Sequence, residues 1–114
     1  MSKTIEQLEQ EVYETWFGSD DNVWIALSLA GEVGEFCNLV KKISRIDFKD
    51  RSEERQLQLL KEQGLEIVDC LYYLLKFTQK NGIDLEGVWD LKMRMNRAKY
   101  AKYMKASKRV KRVR

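Results

Sequence analysis

Two carboxylate pairs of identical spacing, Glu32-x-x-Glu35 and Glu66-x-x-Asp69, stand in the middle of two long apolar runs. Residues three apart on a helix share a face about one turn from each other, so each pair aims two carboxylates in one direction. The neighbours are Trp24, Ile25, Leu27, Leu29, Val33 and Phe36 around the first pair, and Leu65, Ile67, Val68, Leu71, Leu74 and Leu75 around the second. Neither run has a wide polar face. A lone Glu-x-x-Glu is ordinarily a solvated helix surface, but these acids must be met by cations or a ligand, because clustered carboxylates repel and are costly to desolvate. Two such pairs facing each other make an oxygen-rich cage suited to hard divalent cations such as Mg²⁺.

The runs read as helices because the chain has no proline and its apolar residues recur at intervals of three and four. Thr4 and Gln7 form a capping box for a first helix of about residues 4–17, which Gly18-Ser19-Asp20-Asp21 ends. A second helix is predicted from about Asn22 to Arg45, followed by a polar loop over residues 46–51. Ser52 caps a third that reaches about Lys80, Asn81-Gly82 ends it, and Asp84 caps a fourth of about residues 85–105. The expected fold class is all-α, with the second and third helices paired antiparallel.

On a helical wheel at about 100° per residue, Ser28, Gly31, Glu32, Asn38, Leu39 and Lys42 fall on the Glu35 side of the second helix. Glu62, Leu65, Glu66, Tyr73 and Lys76 share the Asp69 stripe of the third, and the fourth carries Trp89, Met93, Asn96, Tyr100 and Tyr103 on one side with Lys92 beside them. Three helices can thus line one polar pocket with an aromatic wall. Gly31 and Gly34 each cost about 1 kcal/mol relative to alanine inside a helix, and the expected return is close helix approach beside the site.

Composition narrows the chemistry. The chain holds no histidine, which removes the Glu-x-x-His motifs of di-iron bundles, histidine-based zinc sites and histidine-dependent triads. All-oxygen coordination remains, and it suits Mg²⁺ or, as a substitute, Mn²⁺. No glycine loop of the Walker type is present, so phosphate would be held by metal and lysine. Cys37 and Cys70 lie in the apolar runs and read as small core residues. With no run of about 18 uninterrupted apolar residues and a polar, acidic start, the chain is expected in the cytoplasm without a membrane partner. Its net charge of +3 conceals an asymmetry: from Ala101 onward seven basic residues meet no acidic one, whereas residues 1–100 hold 14 basic and 18 acidic residues. That tail is expected to be a solvated end, with nucleic acid as its alternative partner.

The segment Leu29-Ala-Gly-Glu-Val-Gly-Glu35, followed by Lys41-Lys42, Glu66-Ile-Val-Asp69 and Lys92-Met-Arg-Met-Asn96-Arg-Ala-Lys-Tyr100, resembles the MazG family of all-α nucleoside triphosphate pyrophosphohydrolases over roughly residues 22–100. The resemblance implies a four-helix bundle over residues 1–105 with a basic tail at 106–114, completed as a homodimer or dimer of dimers. It implies conversion of a (d)NTP to (d)NMP and pyrophosphate, with Glu32, Glu35, Glu66 and Asp69 as both metal ligands and catalytic set. It further assigns Lys42 and Lys92 to the phosphates, Asn96 to the base or sugar, and Trp16, Tyr73 and Tyr100 to the walls of the nucleoside site. Lys99 departs from the family's usual arginine, which keeps the charge and loses bidentate geometry. The rival reading is a non-catalytic helical interaction module that binds nucleic acid through its basic tail.

Overall fold

The computed structural model describes residues 2–45 and 52–103, and every regular element among them is an α-helix: α1 (Ile5–Thr15), α2 (Asn22–Arg45), α3 (Glu53–Asn81) and α4 (Leu85–Lys99). The protein is all-α. The chain divides into two compact units, Met1–Gly82 and Ile83–Arg114.

Side chains set the helix ends. In α1 the Gln7 amide donates to Thr4 Oγ1 at 3.1 Å while the Thr4 amide donates to Gln7 Oε1 at 2.8 Å. Asp21 starts α2 by accepting from the amides of Val23 and Trp24 at 2.7 and 3.1 Å. Ser52 accepts from the Arg55 amide at 3.2 Å. Gly82, at φ 64, closes α3 in the left-handed conformation that glycine adopts without a Cβ penalty, its amide bonded to Thr78 O. Asp84 accepts from the Gly87 amide at 3.2 Å to begin α4.

Two ends differ from expectation. Helix α1 stops at Thr15, because Trp16 turns to an extended backbone (ψ 130) and the Thr15 hydroxyl sits 2.8 Å from Glu11 O and 2.7 Å from the Tyr72 hydroxyl. Helix α4 stops at Lys99, short of the expected 105. Tyr100 still bonds Asn96 O at 2.9 Å, but its φ of −105 and ψ of 14 carry the backbone out of the helix before residues 101–103 take up a helical turn. Residues 104–105, the 46–51 loop and the 106–114 tail lie outside the described residues.

Within the first unit, α3 is the common support. Asn22 at the start of α2 meets Asn81 at the end of α3 through paired amide hydrogen bonds of 3.1 and 3.0 Å, so α2 and α3 run antiparallel. Glu9 accepts from Thr78 Oγ1 at 2.7 Å while Thr15 meets Tyr72, so α1 is antiparallel to α3 as well. The loop between α1 and α2 must therefore travel from Tyr72 to Asn81 along α3, about 13 Å at 1.5 Å per residue. Val12, Ile25, Leu59 and Leu75 are the buried apolar residues among those described. Leu27, Val33, Leu65, Val68 and Leu74 stay exposed, as does a groove of about 380 Å³ between α1 and α3. By length and composition α2 is also apolar enough to cross a membrane, with a mean hydropathy of 1.4 over its most apolar stretch.

Candidate metal centre

Antiparallel pairing brings the middle of α2 against the middle of α3. Carboxylate oxygens of Glu32, Glu35 and Glu66 lie within 4.8 Å of one another. Glu32 and Glu66 are half-buried, Glu35 is exposed, and the Oε2 atoms of Glu32 and Glu66 are buried with no hydrogen-bond partner among the described residues. A buried acceptor left unpaired is costly, and two in one cluster are what a cation would satisfy. In chemistry this all-oxygen donor set could hold a hard divalent cation, with water completing the coordination. Asp69 is exposed and stands outside this closest group, yet its charge reaches Glu32. Burial pushes the Glu32 carboxyl above its ordinary range, and the hydrogen bond with Glu35 and the charges of Glu35, Asp69 and Glu66 push it further.

Beside the acids lies a cavity of about 380 Å³ lined by Glu35, Asn38, Leu39, Lys42 and Glu66. These are residues of the Glu35 stripe joined by one acid of α3. Lys42 thus enters the same pocket as two acids, two turns along from Glu35.

On the other side of the cluster is a group of rings. Trp16 stacks on Tyr72 at 5.8 Å between centroids and meets Tyr73 and Trp24 edge-on at 5.6 and 6.0 Å. Tyr73 connects these rings to the acids: burial raises its hydroxyl's affinity for the proton, and the charges of Glu32 and Asp69 add to the effect. The Trp16 Nε1 donor is buried without a partner among the described residues. Gly18 is required here, since a Cβ at that position would come within 2.6 Å of the Trp24 ring and 3.0 Å of the Trp16 ring.

Lys92, Asn96 and Tyr100 belong to α4, in the second unit. Asn96 is half-buried, Lys92 is exposed, and the Tyr100 ring carries Lys99 Nζ 5.2 Å from its centroid. Three sequence readings are corrected. A Cβ at Gly31 or Gly34 would meet nothing within 4 Å among the described residues, so neither glycine serves close helix approach within the first unit. Cys37 is exposed, not a core residue. Tyr72 and Trp24 complete the ring cluster although the wheel singled out only Tyr73 on its polar stripe. The adjacent pair Tyr72-Tyr73 was the available signal, because neighbours about 100° apart on a helix can flank a ring packed against it.

Compared with protein-family models, with curated proteins and with solved structures, the chain matches none.

Proposed function

We propose that the chain is a Mg²⁺-dependent pyrophosphohydrolase that converts a nucleoside triphosphate to the monophosphate and pyrophosphate. The observation that carries this reading is the convergence of Glu32, Glu35 and Glu66 with two buried, partnerless oxygens, next to a cavity that also takes Lys42. Glu32, Glu35, Glu66 and Asp69 would hold Mg²⁺ or Mn²⁺, and the cation would supply positive charge against the triphosphate oxygens. Lys42 adds an ammonium on the same side, and Lys92 is assigned a like role. A carboxylate of the set not engaged by the cation accepts the proton of the attacking water. The ring cluster offers apolar faces for a nucleobase, with the Trp16 indole N–H as a donor for one of its acceptors, and Asn96 supplies a donor and an acceptor for a base edge or sugar.

The exposed apolar residues of α2 and α3 and the groove between α1 and α3 favour a homo-oligomer, since four buried apolar residues are a thin core for a unit of this size. The cytoplasm is the proposed location, with the acids of α2 turned to a soluble substrate.

The test is incubation with each standard and modified (d)NTP plus Mg²⁺, with products separated as monophosphate and pyrophosphate or as diphosphate and phosphate. Monophosphate and pyrophosphate are expected. Diphosphate and phosphate would move the cleavage to the other bond, and salt-sensitive DNA binding without any turnover would favour the interaction module.

A further inference from the structure

Lys76 is the one buried charged residue among those described, and nothing in the proposed chemistry uses it. Its side chain is 6% exposed, yet its ammonium lies 2.8 Å from Asp20 Oδ1, in the loop between α1 and α2, and 5.0 Å from the centre of the Trp16 ring. Both contacts reach residues more than fifty positions earlier in the chain, on the segment that travels along α3. The next lysine on that stripe, Lys80, holds the same segment by donating to Asp20 O and to Asn22 Oδ1. An ion pair whose Asp20 end is 72% exposed adds little to stability, so its use is better sought in geometry. A cation about 5 Å over an indole face is attracted to the ring and favours one orientation of it. Gly18, pressed against both indole rings, leaves the loop no slack to reposition them.

We propose that Lys76 is a positioning residue for the nucleoside end of the site: by tying Asp20 to α3 and lying over Trp16, it fixes the indole that a nucleobase meets. This rests on the reading that Trp16 and Tyr73 line the nucleoside site. Phosphate contacts and the acids are untouched by the clamp, so its loss is felt in substrate affinity rather than in the chemical step.

The experiment uses the full chain labelled with fluorotryptophan, its three resonances assigned by single Trp→Phe variants, together with steady-state kinetics on the best nucleotide. In Lys76→Met the Trp16 resonance should shift or broaden while that of Trp89 stays in place, and KM should rise about tenfold with kcat within about twofold. Asp20→Asn, which alters only the exposed end of the clamp, should move the same resonance and serves if Lys76→Met fails to fold. A Trp16 resonance unmoved in the folded variants, or a fall in kcat at constant KM, would overturn the assignment. If the wild type turns over no nucleotide, the reaction and this role both fall; if it turns over normally and Trp16 does not respond, only the role of Lys76 falls.

Discussion

Where α2 begins and α3 ends, Asn22 and Asn81 exchange amide hydrogen bonds, Lys80 holds Asp20 O and Asn22, and Lys76 holds Asp20. About three turns further along the same helix pair, Glu32, Glu35 and Glu66 converge with like charges and two buried oxygens that nothing among the described residues satisfies. In the first region each of these donors meets an acceptor, with Gln79 Oε1 the buried exception beside them. In the proposed function, positive charge from outside completes the second. On the function proposed above, stability resides in the first place and ligand binding in the second.

The sharpest way to break that contrast is to remove charge from the middle. Glu35→Gln and Asp69→Asn should each lower turnover by at least about a hundredfold, with Tm unchanged or raised because repulsion is relieved. Full turnover in excess EDTA would show that the acids need no cation. At the closed end the effect should fall on stability instead. Asn22→Ala removes the paired amides and one lysine contact and should destabilise the chain by about 1 kcal/mol, read as a lower midpoint in urea, with kcat near that of the wild type. A variant with wild-type stability and no turnover would dissolve the distinction.

A finer test uses pH. The Glu32 carboxyl is raised above 4.5 in the folded chain, so between that value and the raised one the native state binds more protons than the unfolded state. In the metal-free protein, stability should accordingly fall as pH rises upward from 4.5 through this window. Glu32→Gln should flatten the slope, and a metal-free wild type that gains stability over the same interval would contradict the cluster. The smallest effect is expected from the tail, which follows Tyr100, the last residue of the resembling segment: deletion of residues 106–114 should leave turnover within about threefold of the full chain, since charges of one sign are screened at ordinary ionic strength. A collapse of turnover in a folded, normally assembled deletion would bring the tail into the reaction.

Helix ends were the most legible part of the fold, because Thr4, Ser52 and Asp84 accept from amides three residues on and Gly82 donates to the Thr78 carbonyl four residues back. The convergence of acids was legible for a related reason: a spacing of three fixes a face, and a duplicated spacing on two neighbouring helices fixes a meeting. What escaped depends on partners remote in sequence. Trp16 leaves α1 because a ring 56 residues later waits for it. Lys76 was visible on the Asp69 stripe, but no local pattern could show that Asp20 would sit over it. Asp69 carries the expected spacing, yet the oxygens that approach most closely are those of the other three acids, a matter of helix register that wheel positions do not specify.

All four acids belong to consecutive helices, with none contributed by α1 or α4. Contacts between neighbouring segments of chain close early in folding, since the loop entropy to be overcome is small. The negative charges of this cluster are therefore forced together on the way up the barrier, not after it. Repulsion acts as a brake on the folding rate, and a divalent cation should release it: refolding in millimolar Mg²⁺ ought to be faster than in EDTA, with the unfolding rate changed less. The ion would then help to form the hairpin before it has any substrate to hold.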